Sequence, residues 1–358
     1  MNWRLIAAGV GFVALLAAGL LLQEEIFWMR VLTFGLLLSA VAQSWNLLAG
    51  YAGQWSLAQL AFFGLGAYAA GILEIEFGIP LLLGLVPAVL ITSLFAAGLG
   101  YITLRIRGHY FSLVTFFLTV SLFELVRYFA DYTGGQFGIN ISFQPGTNIL
   151  MLQFEDQIWY YYLAVTVAVL ASACLWFVVR SRFGLLLRAI RDDQDSAAAL
   201  GVPVLALKVA AMSISAAMAS SAGVAYLAAY KLMDADTAFG IHNSLDPIVA
   251  GILGGAGTIL GGVVGEIILQ AVIAQVNVVF GAVPGMAAML YGAILMLVIL
   301  LLPKGLLGLI KPAGPTRRST STNWWFRHTA TGTHAVATEH RDEEAAASHK
   351  TEVKTDGR

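Results

Sequence analysis

Charge is what this sequence has least of. Only 11% of its 358 residues are Asp, Glu, Lys or Arg, against about 25% in an ordinary soluble chain. Hydrophobic residues make up 59%. That balance excludes a water-soluble globule and predicts an all-α, polytopic membrane bundle. Cysteine is nearly absent: Cys174 stands alone in an apolar run, which excludes an internal disulfide and leaves a packing role. No Cys/His spacing of the zinc type occurs, so no metal is expected, and no G-x-x-x-x-G-K-[ST] phosphate loop occurs either. The chain has no nucleotide site of that kind. His109 and His242 are isolated and no Ser/His/Asp set shares a face, so catalytic residues are not expected. No nucleic-acid partner is expected.

Where charge does occur it is concentrated. The stretch RSRFGLLLRAIRDDQDSAAALGVP, Arg180 to Pro203, holds Arg180, Arg182, Arg188, Arg191, Asp192, Asp193 and Asp195 between two apolar spans. An ionised group at mid-bilayer costs about 2.5–3.5 kcal/mol, so the stretch must lie in water. Its arginines assign it to the cytoplasmic side. Between Gly184 and Gly201 there is no Gly or Pro, and Leu186, Leu187, Ile190, Ala197 and Leu200 fall on one broad helical face. Arg188, Arg191, Asp192 and Asp195 point elsewhere, and Gly201 and Pro203 end the helix. One short amphipathic helix at the cytoplasmic surface is expected. A solvated connector with a helical turn is the plain alternative.

Apolar runs surround this loop. They cover Leu5–Leu22, Val31–Ala49, about Leu57–Leu73, Leu81–Leu104, Tyr110–Ala130, Ile158–Val179, Val204–Tyr230 and Met286–Leu302. The first resembles a signal peptide, but Gln23-Glu24-Glu25 is a poor cleavage site, and it is expected to be retained. With the N-terminus inside, every arginine-rich loop lands on the cytoplasmic face, including Arg105 and Arg107. For Lys304, Lys311, Arg317 and Arg318 to be inside as well, Pro247–Val279 must divide near Gly254-Gly255-Ala256-Gly257. The count is then about ten segments, with at least one broken helix. Residues 1–311 are expected to form the membrane domain, with the charged cytoplasmic loop at 180–207. The tail 312–358, rich in Ser, Thr, Ala and charge, is expected to be disordered and cytoplasmic.

Polarity enters the membrane in three places. Gln43, Asn46, Gln54, Ser56 and Gln59 interrupt the apolar sequence between runs two and three. Lipid offers such groups no partner, so they serve either as contacts for a polar solute or as hydrogen-bond glue between helices. Glu124 and Arg127 lie three apart on the fifth run, suited to solute contact or to an ion pair fixing the helix end. The third place is GILGGAGTILGGVVGE, where Gly257, Gly261 and Gly265 recur every four residues, as do Gly251 and Gly255, followed by the acid Glu266. Broken glycine-rich helices line paths in transporters, and an intramembrane acid is a functional candidate.

Four blocks carry a family resemblance: NLLAGYAGQWSLAQLAFFGLGAYAAGIL, RGHYFSLVTFFLTVSLFELVRYFADYTGGQFGI, SRFGLLLRAIRDDQDSAAALGVPVLALKVAAMSISAAMASSAGVAYLA, and GILGGAGTILGGVVGE with LLPKGLLG. Together, over about Val31 to Gly308, the chain resembles the permease subunits of branched-chain amino-acid ABC importers, of the M type. The family pattern often has Gly-His where Ala58-Gln59 stands, and a charged residue where Ala198 stands. The resemblance implies that Arg188, Ala189, Arg191, Asp192, Asp193, Ala197 and Gly201 belong to a helix that docks on an ATP-binding subunit. It implies a second, related permease subunit, two ATP-binding subunits that use ATP and Mg, and a soluble periplasmic or surface substrate-binding protein. The location implied is the bacterial or archaeal inner membrane. Related permeases move urea, short amides or other amino acids. A secondary transporter working alone would instead depend on Glu124 or Glu266, and a membrane enzyme would need clustered His, Asp or Cys.

Overall fold

The computed structural model describes residues 15–106, 108–142, 146–281, 283, 285, 286, 289–293, 296, 305 and 306. The first apolar run is thus described only from Leu15 and the last only in part. Arg107, most of LLPKGLLG and the tail from Pro312 lie outside the described residues.

Ten helices make up the frame among the described residues. They are α1 (Ile26–Asn46), α2 (Gln59–Phe77), α3 (Leu81–Thr103), α4 (His109–Tyr128), α5 (Gln157–Arg180), α6 (Arg182–Asp192), α7 (Gln194–Ala199), α8 (Val204–Tyr230), α9 (Ile241–Gly254) and α10 (Gly261–Phe280). Seven of these, α1 to α5, α8 and α10, are long and apolar enough to cross a bilayer. The chain is an all-α polytopic membrane protein. Their outer faces stay apolar, as at Leu83, Leu90 and Leu94 of α3, because lipid rather than water is the solvent there.

The interior is built by small residues. The long helix α8 packs against α2 and α3. The approach to α2 requires glycine at 223, since a Cβ there would collide with the Phe63 carbonyl. Close backbone approach replaces the hydrophobic drive that a bilayer does not supply. On the other side α1 packs against α5 and α10, and α9 packs against α10 and α1. By contrast, α4 touches little of its own chain beyond the Ala235–Phe239 turn and α2.

The expected division of Pro247–Val279 is present. Helix α9 ends at Gly254 and α10 starts at Gly261. With 14 residues, α9 is about 21 Å long at 1.5 Å per residue, short of a bilayer core of about 30 Å. It starts six residues before Pro247, whose missing amide leaves the Asn243 carbonyl without its helical donor. At the turn, Gly255 (φ 113°) and Gly257 (φ 77°) take conformations that side chains disfavour. Gly305 lies against Gly255, so the chain returns to this same end after its last apolar run.

The opposite end is ordered by a two-residue ribbon. Ile139–Asn140 pairs antiparallel with Leu232–Met233, and the Ile141 amide donates to the Lys231 carbonyl at 2.8 Å. The long α4–α5 connection is thereby tied to the segment following α8.

Candidate functional site

The charged loop folds as two helices where the sequence suggested one. Ser181 caps α6, its Oγ accepting from the Gly184 amide. Asp193 then breaks the run with extended dihedrals (φ −158°, ψ 109°) and caps α7, accepting from the amides of Asp195 and Ser196. Hydrogen bonds from the Ser196 amide and hydroxyl hold the Asp193 carboxyl below the usual aspartate range. An acid whose side chain competes for backbone amides favours a cap over a helix interior, which is why the continuous helix does not form. The expected apolar face holds at Leu187, Ile190 and Ala197, which are buried, but fails at Leu200, which is 85% exposed.

Two arginines of this element bond back to the bundle while Arg191 stays partly exposed. Arg188 donates from Nη2 to the Val179 carbonyl at 3.0 Å and lies 5.6 Å over the Tyr51 ring. Arg191 donates from Nη1 to the Gly50 carbonyl at 2.6 Å. The exposed surface of the element includes Leu185, Ala189, Asp192, Asp193, Leu200 and Gly201, with Arg182, Arg191 and Asp195 beside them. Behind it, Lys208 of α8 is buried to 1% exposure and donates to Gln194 of α7 at 2.5 Å. Sequence reasoning passed over both of these residues.

Gly50 sits in a π-helical turn, Leu47–Tyr51, that ends α1. Such turns shift carbonyls off the helical ladder. The same turn meets the α9–α10 break. Asn46 Oδ1 accepts from the Gly257 amide at 2.7 Å, and Asn46 Nδ2 donates to the Thr258 carbonyl at 2.6 Å. A Cβ on Gly50 would stand 2.6 Å from the Gly257 nitrogen. Arg191, Gly50, Asn46 and Gly257 therefore form one junction that joins the charged element, the end of α1 and the broken helix.

Of the remaining polar candidates, Gln43 and Gln59 act between helices and the others bond locally. Gln43 donates to Ser172 Oγ on α5 at 2.9 Å. Gln59 donates to Ser215 Oγ at 3.0 Å, and Ser215 donates to the Ser44 carbonyl at 2.8 Å, linking α2, α8 and α1. Ser56 lies 3.4 Å from Gln59 Oε1, and Gln54 donates to the Ala52 carbonyl at 3.3 Å. Glu124 and Arg127 form an exposed pair at 3.2 Å on the last turns of α4. Gly255 stands in the break, where it accepts from Thr258 Oγ1 at 2.7 Å.

A cavity of about 500 Å³ opens between α1, α2, α8, α9 and α10. Its apolar lining comes from Phe34, Leu38, Leu60, Phe63, Tyr226 and Ile273, and its polar lining from Thr237, Asn243, Asp246, Gln270, Asn277 and Tyr291. The Tyr291 hydroxyl donates to Asp246. Glu266 is fully buried behind this wall and reaches it through Gln270, whose Nε2 donates to Glu266 Oε1 at 2.8 Å. None of the polar residues singled out in the sequence lines the cavity. The signal that would have found it is the helical spacing of Glu266, Gln270, Ile273 and Asn277 along α10.

Residues 27–299 match the family described as branched-chain amino acid transport system / permease component. The chain belongs to this family. Two similar proteins are the high-affinity branched-chain amino acid transport system permease proteins LivM of Salmonella typhimurium and Escherichia coli. Each is 25% identical, over 293 and 297 residues respectively, covering 75% of this chain and 67% of the relative. No solved structure matches at a comparable level. A branched-chain permease component is a transport subunit rather than a catalyst, and the matched region contains the junction, the two-helix element and most of the cavity.

Proposed function

We propose that this chain is one transmembrane half of an ATP-binding-cassette importer that carries leucine, isoleucine and valine across the inner membrane. Separate ATP-binding subunits, using ATP and Mg, dock on α6–α7, a second related permease subunit completes the pathway, and a soluble binding protein delivers the solute. Both termini face the cytoplasm, and residues 1–311 form the permease. The observation that carries this reading is the α6–α7 element. It exposes Leu185 and Leu200 and is bonded by Arg191 to Gly50, which adjoins the helix break. A chain without a phosphate loop of its own needs such a handle to receive work from an ATPase. The ATPase contacts fall on Leu185, Ala189, Asp192, Asp193, Leu200 and Gly201, with Arg188 and Arg191 supporting them from within.

The reading is tested by purifying the chain from its native membrane in mild detergent, identifying co-purifying proteins, and reconstituting the complex in vesicles. ATP-dependent uptake of labelled L-leucine by a complex containing a second permease and ATPase subunits is the expected result. Uptake by the chain alone without ATP would refute it in favour of a gradient-driven carrier using the buried Glu266. Uptake of urea or acetamide in place of leucine would move the solute to the amide class, a reading favoured by the amide-rich wall of Asn243, Gln270 and Asn277.

A further inference from the structure

One buried acid stands behind the cavity wall without lining it. Glu266 of α10 is fully buried, and its Oε1 accepts from Gln270 Nε2 at 2.8 Å. Among the described residues its Oε2 has no hydrogen-bond partner, so Gln270 is the donor that satisfies this carboxyl. Gln270 in turn lines the cavity and is only 5% exposed. Its stem is held against α1, where a Cβ added at Gly35 would stand 3.4 Å from Gln270 Cβ. A glutamine amide can offer a ligand either its oxygen or its nitrogen. Glu266 removes that choice. Turning the amide round would set oxygen against oxygen inside the bundle and leave the buried acid without its donor.

We infer that Gln270 presents its side-chain carbonyl to the cavity as an acceptor for the solute's ammonium group, with Glu266 as the positioning residue that fixes the amide. This rests on the amino-acid reading of the function and deepens it to a specificity-determining residue. The amide is planar and its two ends diverge, so with Nε2 committed to Glu266 the end left for a ligand is Oε1. An ammonium group carries donors and no acceptor, whereas a carboxylate carries acceptors and no donor. A fixed carbonyl therefore favours the amine end of an amino acid and opposes its carboxylate end. Phe34, Leu38 and Ile273 line the same cavity and offer an aliphatic side chain an apolar surface. A site built to hydrogen-bond an N–H group rejects the analogue that lacks it, because its own polar group is then left unpaired. The site takes α-amino acids with apolar side chains and rejects the same skeleton without the amine.

The test measures binding of labelled L-leucine to the assembled permease–ATPase complex in nanodiscs, with no binding protein added, so that only the membrane site is read. Two competitors are used. L-leucinol keeps the ammonium group and lacks the carboxylate; 4-methylpentanoate keeps the carboxylate and lacks the amine. Leucinol should displace leucine at least tenfold better than 4-methylpentanoate. Gln270→Met, which keeps the shape and loses the carbonyl, should raise the Kd for leucine at least tenfold and abolish the preference for leucinol. Glu266→Gln, which keeps the shape but pairs with either end of the Gln270 amide, should narrow that preference at least threefold. A residue needed only for packing would lower the yield of complex and leave the preference alone. Wild-type complex that binds no leucine saturably, or is displaced equally by both competitors, overturns the inference, as does a Gln270→Met complex with unchanged Kd and preference. If Gln270→Met does not assemble, Glu266→Gln and the wild-type competition decide, and an unchanged preference in Glu266→Gln overturns the positioning role. ATP-dependent leucine uptake by the same wild-type complex, with binding protein restored in vesicles, is measured alongside. Uptake without the binding pattern overturns the Gln270 assignment alone, and no uptake overturns the transport reading on which it rests.

Discussion

Asn46 offers the sharpest test of the junction. Its side chain is fully buried and makes both polar contacts to the α9–α10 turn, accepting from Gly257 and donating to Thr258. Asn46→Ala removes both partners at once. The Gly257 amide and the Thr258 carbonyl are half-buried, so each lost bond costs about 0.5–1.5 kcal/mol and the two together predict a loss of about 1–3 kcal/mol. The thermal midpoint should fall measurably. The assay is thermal unfolding of the detergent-purified complex followed by tryptophan fluorescence, paired with uptake in vesicles. Membrane insertion should be normal, because the substitution makes α1 more apolar. Asn46→Asp separates the two bonds: it keeps an acceptor for Gly257 and loses the donor to Thr258. An Asn46→Ala complex with unchanged midpoint and unchanged uptake would refute the claim that this side chain holds the broken helix to α1.

Four further outcomes follow from the structure. Reversing Arg188 and Arg191 to Glu should lower the thermal midpoint of the chain itself, because the Val179 and Gly50 carbonyls lose their donors. Leu185→Asp with Leu200→Asp should leave that midpoint unchanged and reduce ATPase co-purification at least tenfold, since both side chains are exposed. Gly257→Ala should cost about 1–2 kcal/mol, the penalty for a side chain in the left-handed region, with φ at 77°; it is read as a lower unfolding midpoint, and Gly257→Asn should cost less. Lys231, which caps α8, has its pKa pushed down to about 8 by burial, opposed by the Glu74 carboxylate. The unfolded chain holds that proton up to its ordinary 10.5, so it binds more protons than the folded chain between these values. Stability should therefore rise with pH from about 8 to 10.5 and be flat below 8. Lys231→Met should remove the rise, as read from unfolding midpoints across that range.

The span pattern and the helix break were legible because both are written in composition. Runs of apolar residues and a cluster of glycines survive any choice of packing. The two-helix form of the charged element was also encoded, since Asp193 followed by Asp195 and Ser196 is a capping arrangement. Helical periodicity across Gly184–Leu200 masked it, because periodicity counts faces and does not ask which side chains compete for backbone amides. The cavity was not legible. Its lining comes from five helices whose neighbourhood is set by tertiary contacts, and its acid lies in a segment that reads as a polar connector. The bond that ties Arg191 to α1 was not legible either: the π-turn at Gly50 offers it a carbonyl that no sequence pattern announces.

That carbonyl has a consequence for how work crosses this subunit. Arg191 and Gly257 meet the same residue: one donates to the Gly50 oxygen, and the other lies so close that Gly50 tolerates no Cβ. The α6 helix therefore cannot move relative to α1 without breaking or dragging a charge-assisted bond of 2.6 Å. Nor can α1 shift its last turn without displacing the start of α10, which Asn46 holds through Gly257 and Thr258. Farther along the same α10 stand Gln270, Ile273 and Asn277, which line the cavity. In the proposed importer, a push on α6 would pass through this junction to the glycine turn at 254–261 and so to the α10 wall. Packed elements transmit motion when both ends bias the same two-state element. If the α9–α10 break is that element, Gly50→Ala should uncouple ATP hydrolysis from uptake: hydrolysis continues while leucine transport falls, and parallel losses of both would instead mark Gly50 as a residue needed only for folding.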